Sequence, residues 1–251
     1  MTNVTENRQS KFASISKHAA MTIGLFAVFA YIAISVLNYR FPSANIQGVS
    51  MLPNFQANKT YVTERVLVDP ERLDVVVMRP ADFDDSSKAI IAETLGDVEL
   101  YVKRVIGLPG DVVTFNKDSG RVLHINNIPV QYARNKDIPT FALTEKSDPA
   151  VAVMVVGMTT TYQGDNVNVY EADFDFTHVD TQTRAFFSKI KPPYLLDGQH
   201  VVNGDVVTVT VPEEHVFIMS DNRFEGVDSR HFGAVPISAM ESVLRREVNN
   251  G

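Results

Sequence analysis

The sequence predicts a mainly β protein that follows a single N-terminal transmembrane helix. Three observations support this prediction. Residues 19–37 carry no charge, a helical period is hard to find beyond residue 40, and short runs rich in Val, Ile, Phe, Tyr and Thr recur between turn residues. Such spacing predicts an antiparallel sheet or a barrel-like domain rather than βαβ units. With 251 residues, 45% of them hydrophobic, the chain can bury a sizeable core.

The uncharged run is long enough to cross a bilayer. Its 19 residues, AAMTIGLFAVFAYIAISVL, would span about 28 Å as a helix, close to the roughly 30 Å hydrocarbon core. Arg8, Lys11 and Lys17 precede it, and Arg40 is the only basic residue between it and Lys59. This Lys/Arg excess predicts that the N-terminus lies in the cytoplasm and the rest of the chain across the membrane.

A cleaved signal peptide and a buried core helix are the alternatives for this segment. Its apolar stretch exceeds the usual 7–15 residues of a signal-peptide core, and it is too long and uncharged for most soluble helices. The length therefore favours an uncleaved anchor. We expect a cytoplasmic tail over residues 1–18, a transmembrane anchor over 19–38 and a β domain over 39–251.

The β-rich runs and the remaining segments complete the predicted order of elements. The predicted strands are 61–68, 74–78, 100–106, 111–115, 122–125, 151–156, 205–211 and 215–219. Residues 237–248 are the best helix candidate, because Pro236 stands at their start and Ser238 can cap them. The acidic segment 82–97 predicts a loop or flap, and 133–204 predicts a less patterned, loop-rich inserted subdomain.

Composition and charge exclude several classes of protein. Lys+Arg is 23 and Asp+Glu is 30, so the net charge of -7 argues against a nucleic-acid partner. Cysteine is absent, which excludes disulfides, Cys-ligated zinc, iron–sulfur clusters and a thiolate nucleophile. The six histidines lack metal-ligand spacing. The acid-rich segment 171–180 lacks the glycine of a calcium loop and predicts a solvated acidic loop, so no metal site is expected.

Three segments carry the candidate chemistry: GVSMLP at 48–53, YVKRVIGLPGD at 101–111 and SDNRFEGVDSR at 220–230. Each alone has an ordinary structural explanation as a turn, an edge-strand lysine or a surface ion pair. A serine nucleophile, however, needs a base within hydrogen-bond reach, and a lysine can serve when burial lowers its pKa. Lys103 lies among apolar residues, where strand alternation puts Arg104 on the opposite face.

In this order, the motifs S-M-x-P, K-R-V-I-G-L-P-G-D and D-N-R-x-x-x-x-D-S-R resemble the bacterial type I signal peptidase (leader peptidase) family of Ser–Lys endopeptidases. Recognisable pieces cover most of 45–130 and 205–237, whereas 133–204 matches no named pattern. The resemblance implies a barrel-like catalytic β domain on the outer, periplasmic side of the cytoplasmic membrane. It implies cleavage of signal peptides from translocated precursor proteins, contact with membrane lipid, and no metal or organic cofactor.

The resemblance also assigns roles to individual residues. It makes Ser50 the nucleophile and Lys103 the general base. The Ser50 backbone N–H becomes the first oxyanion donor, and Gly48 stands where many family members carry a second, hydroxyl donor. Gly48 allows close approach of the backbone but supplies no hydroxyl. Met51 is expected to pack beneath the serine.

Two positions depart from the family's last motif. Gly226 stands where a serine usually orients the lysine, and Ser220 stands where glycine is usual. We hypothesise that Ser220 supplies the missing hydroxyl. Asp228 and Arg230 match the family's structural ion pair and are expected to brace the site. Four apolar residues near the anchor are candidates either for lipid contact or for core packing: Ile46, Met51, Leu52 and Phe55.

Other functions stay open on sequence alone. A specialised maturation peptidase for one secretion or conjugation client would suit the unmatched span 133–204. A non-catalytic, membrane-tethered β domain that binds exported peptides would tolerate replacement of Ser50 and Lys103. A self-cleaving regulator is disfavoured by the anchor and by the lack of a DNA-binding segment.

Overall fold

The computed structural model describes residues 2–65, 69–116, 120–145, 148–173, 200–223 and 225–247. The chain divides into two compact units, Met1–Pro42 and Ser43–Gly251. The fold-class prediction is confirmed, because an N-terminal apolar helix is followed by a unit built mainly of antiparallel strands.

The first unit is one long helix, α1 (Thr2–Arg40). Its segment Ala19–Arg40 has a mean hydropathy of 2.3 and is not buried. Large apolar side chains such as Phe26 are exposed along this segment, so it is not the core helix of a soluble domain. By length and composition it can cross a membrane.

The described strands of the second unit are β1 (Ser43–Ile46), β2 (Lys59–Arg65), β3 (Val75–Met78), β4 (Tyr101–Gly107), β5 (Val112–Asn116), β6 (Val122–Ile125), β7 (Ile128–Pro129), β8 (Gln131–Arg134), β9 (Phe141–Glu145), β10 (Asp148–Tyr162), β11 (Asp165–Asp173), β12 (His200–Asn203), β13 (Val206–Thr210), β14 (His215–Met219), β15 (Val235–Pro236) and β16 (Met240–Glu247). These described strands form three antiparallel sheets. The seven-stranded sheet has the order β1-β2-β16-β3-β4-β14-β15, and the five-stranded sheet has the order β12-β13-β5-β6-β7. In the third sheet β10 pairs with β11, β8 and β9.

Short helices connect these strands: α2 (Asp85–Leu95), α3 (Ser229–Phe232) and 3₁₀ turns at Pro80–Asp82 and Ile237–Ala239. Each of the eight predicted runs overlaps a strand, so those predictions are confirmed over the described residues, with 151–156 forming part of the longer β10.

The strands β4 and β14 sit between two apolar cores. Val105 and Ile218 point into one core, whereas Ile106, Phe217 and Met219 point into the other. Successive side chains of a strand face opposite sides of its sheet, so a strand covered on both faces needs a continuous apolar run. The run HVFIM meets this need and fixes the strand that leads into the last motif.

The predicted C-terminal helix over 237–248 is wrong. Residues Ile237–Ala239 form a 3₁₀ turn, and β16 follows. β16 pairs with β2 on one side and with β3 on the other, and Val243 is buried in the core. Ladder hydrogen bonds on both edges and burial therefore override the local helix signals.

The predicted loop over 82–97 is also wrong, because α2 lies there. The Asp84 carboxylate accepts a hydrogen bond from the Ser87 backbone N–H at 2.9 Å and caps the first turn. Ile91 anchors the helix in the core that also contains Phe83. Of the acidic residues at the start of the segment, Asp84 is the cap of α2 and Asp85 lies on the exposed face of its first turn.

The description of 133–204 as loop-rich is wrong over 141–173. There β9, β10 and β11 form a ladder, and the β10–β11 register runs from Met154↔Asp173 to Tyr162↔Asp165. The connecting residues Gln163 and Gly164 both have positive φ, as a two-residue hairpin turn requires. Residues 174–199 of the predicted insertion lie outside the described residues.

The predicted solvated acidic loop at 171–180 begins with a buried residue. Glu171 lies on β11, is 1% exposed, and accepts hydrogen bonds from Arg121 Nε at 2.9 Å and Nη2 at 2.5 Å. The prediction is therefore wrong for Glu171, because an ion pair with Arg121 compensates its burial. Residues 174–180 lie outside the described residues.

Candidate active site

Ser50 lies in a turn that leaves β1. The Leu52 backbone N–H donates to the Val49 carbonyl at 3.2 Å, and the Asn222 backbone N–H donates to the Ser50 carbonyl at 2.9 Å. The next side chain, Met51, is fully buried in the core that contains Ile46. These hydrogen bonds and the buried Met51 side chain fix the turn against the core. Ile46 and Met51 therefore pack in the core and do not face lipid.

Lys103 lies on β4, between β3 and β14, and is only 3% exposed. Its Nζ lies 3.0 Å from Ser50 Oγ and donates to the Val102 carbonyl at 2.8 Å. The same Nζ is 4.0 Å from the centroid of the Tyr101 ring. The structure thus brings together the serine and the lysine that lie 53 residues apart in the chain.

Burial lowers the pKa of Lys103 to about 8, although the nearby carboxylates of Asp228 and Asp221 act to raise it. A lysine with this pKa is about one tenth neutral at pH 7, half neutral near pH 8 and mostly neutral about one pH unit above that. A neutral amine at hydrogen-bond distance from a hydroxyl can accept its proton.

Arg104 faces away from Lys103, as strand alternation predicts, but it is not solvated. Its Nε and Nη2 donate to the Asp221 carboxylate at 2.7 and 2.6 Å, and its Nη1 donates to the Leu73 carbonyl at 2.7 Å. The Asp221 side chain is fully buried. This bidentate pair fixes the last motif against β4 directly beside Lys103.

Asp228 and Arg230 form a second buried pair. Arg230 Nε and Nη2 each donate to the Asp228 carboxylate at 2.7 Å. The same carboxylate accepts the Ser220 backbone N–H at 2.9 Å and caps α3. Burial acts to raise the pKa of Asp228, but the charge and hydrogen bonds of Arg230 overcome it and hold that pKa well below its usual range. The carboxylate therefore stays ionised and orders the segment between residues 220 and 230.

Ser220 and Gly226 occupy one space. The Ser220 hydroxyl is buried and makes no hydrogen bond to any described residue, Lys103 included. A Cβ at position 226 would overlap Cβ and Oγ of Ser220 and would lie 3.4 Å from the Asn222 carbonyl oxygen. The Ser220 side chain therefore fits in its observed position only because residue 226 has no side chain.

Gly48 borders open space. A Cβ at this position would meet no atom within 4 Å. A larger side chain at position 48 would therefore fit without displacing protein atoms.

The whole sequence, apart from its ends, matches a known family. Residues 18–245 fit the sequence model of the family described as signal peptidase, peptidase S26. The chain belongs to this family. It is therefore a peptidase, and its N-terminal apolar helix marks it as a membrane-anchored family member.

Individual members of the signal peptidase family show the same relationship. A signal peptidase I of Leptolyngbya laminosa is 29% identical over 152 residues, which are 59% of this chain and 69% of that protein. A probable signal peptidase I-2 of Synechocystis sp. is 31% identical over 134 residues, 50% of this chain and 58% of that protein. A signal peptidase I of Buchnera aphidicola subsp. Schizaphis graminum is 23% identical and covers 93% of this chain and 73% of its own length.

Two residues beside Ser50 and Lys103 were not predicted from the sequence to have a role, Tyr101 and Asn222. Tyr101 places its ring against Lys103 and donates its hydroxyl to the Val227 carbonyl. Asn222 donates its side-chain amide to the Val49 carbonyl at 3.3 Å. Both residues lie within the motifs that this chain shares with the signal peptidase family, so the sequence could have indicated them. Their contacts, however, depend on the fold.

The overlap at positions 220 and 226 predicts a reciprocal substitution effect. We expect Gly226→Ser to lower the free energy of unfolding by about 1–3 kcal/mol, because the new side chain overpacks against Ser220. We expect the double variant Ser220→Gly/Gly226→Ser to regain the loss, since one hydroxymethyl group then replaces the other. Urea denaturation of the three proteins measures both effects. A single variant as stable as the wild type, or a double variant no better than the single, would contradict the shared space.

Proposed function

We propose that this chain is a membrane-anchored serine endopeptidase that removes N-terminal signal peptides from translocated precursor proteins by means of a Ser50–Lys103 dyad. The observation that carries the proposal is the 3.0 Å contact of Lys103 Nζ with Ser50 Oγ, in a chain of the signal peptidase family. The depressed pKa of Lys103 supports its role as base.

The reaction proceeds in two balanced halves. In the first, Ser50 Oγ attacks the scissile carbonyl carbon while neutral Lys103 takes the hydroxyl proton. The tetrahedral intermediate collapses, Lys103 returns the proton to the leaving amine, and the mature protein departs with a free N-terminus. In the second, water gives its proton to Lys103 and attacks the ester on Ser50. The ester breaks, Lys103 gives its proton to Oγ, and the signal peptide leaves as a carboxylic acid that loses its remaining proton to water.

The oxyanion of each half needs donors that are already in position. The backbone N–H of Ser50 is the first donor in this proposal, and Gly48 leaves the oxyanion space open. We propose that Ser220 orients Lys103 during the reaction, which requires its buried hydroxyl to turn toward Lys103, because the two make no hydrogen bond in the structure. If Ser220→Ala retained full activity, this assignment to Ser220 would be wrong.

The substrate binds as an added strand. β1 forms one edge of the seven-stranded sheet and leads directly into the Ser50 turn, so its outer edge offers backbone groups to an extended peptide. The side chains of Ser43 and Asn45 are exposed while Ala44 and Ile46 are buried, as expected for an edge strand. Small residues at the -1 and -3 positions of the precursor fit the family's shallow pockets.

The proposal also includes the arrangement in the membrane. A cytoplasmic tail (1–18), an anchor (19–38) and a catalytic domain with an insertion (39–251) would place the dyad on the outer side of the cytoplasmic membrane. The Lys/Arg excess before the anchor supports this orientation. Membrane lipid and emerging precursors are the proposed partners, and the acidic net charge disfavours nucleic acid.

Cleavage of a defined precursor tests the proposal. The full chain in liposomes is incubated with a precursor that has an Ala-x-Ala site and with a matched precursor that has Leu at -1. We expect the first to be cut after the second alanine, as N-terminal sequencing of the product shows, and the second to remain intact. No Ser50-dependent cleavage, or equal cutting of both precursors, would contradict the proposed activity.

The pH dependence of this reaction follows from Lys103. Its pKa is lowered from 10.5 to about 8, so the base is protonated and inactive below that value and neutral above it. We expect kcat/KM to rise with pH and to reach half its plateau near pH 8. The measurement is the pH profile of precursor cleavage, with circular dichroism as a check that the fold persists. If kcat/KM reached half its plateau only above pH 10, the pKa of Lys103 would not be lowered by burial.

A further inference from the structure

The side chain of Asn54 links the nucleophile turn to the inserted sheet of β8–β11 by a hydrogen bond. Its Nδ2 donates to the Asn168 carbonyl on β11 at 2.6 Å and to Asp221 Oδ2 at 2.7 Å. Asn54 lies four residues after Ser50. One amide group thus joins the nucleophile turn, the insertion and the last motif.

Each end of this junction is itself held. Asp221 is fully buried and receives the bidentate hydrogen bonds of Arg104, the neighbour of Lys103 in sequence. Asn168 Oδ1 accepts hydrogen bonds from Asn135 Nδ2 at 3.2 Å and from Thr159 Oγ1 at 3.1 Å. Asn54 therefore connects two fixed points and does not depend on a mobile surface group.

A second contact joins the same turn and the same sheet. Leu52 packs against the small apolar cluster of Ile138, Val155 and Tyr170. The Tyr170 backbone N–H donates to the Asp221 carbonyl at 3.0 Å, and the Arg223 N–H donates to the Tyr170 carbonyl at 2.8 Å. β11 thus contacts the last motif through the backbone of Tyr170. It contacts the nucleophile turn through the Asn168 carbonyl and the apolar cluster around Leu52.

We propose that Asn54 is a positioning residue through which the inserted sheet fixes the reactive geometry of Ser50. The inference rests on the proposed function, because it concerns the rate at which Ser50 attacks. The distance of 3.0 Å between Ser50 Oγ and Lys103 Nζ is set by two separate segments, the turn and β4. Asn54 ties the turn to Asp221, and Asp221 is tied to β4 by Arg104. A shift of about 1 Å at such a site can reduce the rate about a hundredfold.

The test compares two Asn54 variants with a matched control in the full, detergent-solubilised chain. Asn54→Ala removes the amide, and Asn54→Asp keeps its shape but replaces the donor with a carboxylate that faces Asp221. The control is Asn166→Ala, because Asn166 is also exposed, lies on β11 like Asn168, and its side chain, among the described residues, only accepts a hydrogen bond from Thr161 Oγ1 at 2.5 Å on the neighbouring strand. Ser50→Ala is included to measure the activity that depends on the nucleophile.

We expect Asn54→Ala to lower kcat about tenfold or more while KM and the thermal denaturation midpoint stay at wild-type values. Asn54→Asp is expected to lose at least as much, since its shape is right but its charge repels Asp221. Asn166→Ala is expected to keep wild-type kcat, because its contact with Thr161 lies within the inserted sheet.

Three outcomes would overturn the inference: wild-type kcat in Asn54→Ala, wild-type kcat in Asn54→Asp, or a loss of kcat that comes with a matching fall in the denaturation midpoint. The last would show a general structural role. If the wild type shows no cleavage that depends on Ser50, the proposed function fails, and the positioning role fails with it. Loss confined to the Asn54 variants leaves the proposed function intact and supports the inference.

Discussion

Replacing Lys103 by methionine is expected to reduce kcat/KM by about 10³-fold or more while the protein stays folded. Methionine fills the same apolar space on β4 but cannot accept a proton, so Ser50 loses the base that activates it. The buried position tolerates an apolar side chain better than an unneutralised charge, so the thermal denaturation midpoint should be unchanged or higher. Initial rates of precursor cleavage and a thermal scan measure the two effects together.

Two further variants sharpen this expectation. Lys103→Arg is expected to be as inactive as Lys103→Met, because a guanidinium does not lose its proton in the accessible pH range. The control is Lys88→Met, since Lys88 forms only a surface ion pair with Asp85 at 2.7 Å. Retention of a tenth or more of wild-type activity in Lys103→Met would show that another group acts as the base.

Replacing Asp228 by alanine is expected to have the largest effect on stability, a loss of about 3–5 kcal/mol in the free energy of unfolding. The change leaves the buried Arg230 guanidinium without its bidentate partner. It also removes the acceptor for the Ser220 backbone N–H and the cap of α3. We expect activity to fall as well, because the segment from 220 to 230 packs around the dyad. Urea denaturation gives the free energy.

The matched control for Asp228 is Asp85→Ala, whose ion pair with Lys88 is solvent-exposed. Its expected cost is below about 1 kcal/mol. A double variant that replaces Asp228 and Arg230 with apolar residues of similar volume should regain part of the loss, since no buried charge remains without a partner. Equal stability of Asp228→Ala and Asp85→Ala would show that the buried pair does not hold the site.

The strands that position the dyad could be predicted because their side chains are apolar on both faces. The runs YVKRVIG and HVFIM lie between two cores and are apolar apart from Lys103, Arg104 and His215, so they are easily recognised. The motifs around Ser50 and Lys103 predicted that these two residues act together, but not the distance between them. That distance depends on the turn after β1 and on its contacts with the last motif.

The elements that sequence patterns missed depend on pairing across long distances. β16 has a local helix signal, but two neighbouring strands supply its hydrogen bonds. The overlap of Ser220 with position 226 and the junction at Asn54 arise from side chains that only the fold brings together. Glu171 was expected in a solvated loop because its acidic neighbours hide the strand alternation that buries it.

The cleavage of an Ala-x-Ala precursor by the wild type and by Ser50→Ala, side by side in liposomes, tests the central claim most directly. Alanine removes only the hydroxyl, and the turn keeps its backbone contact with Asn222, so both proteins should fold alike. We expect the wild type to release the mature protein and Ser50→Ala to leave the precursor uncut. Cleavage at the same bond and a similar rate by Ser50→Ala would show that Ser50 is not the nucleophile.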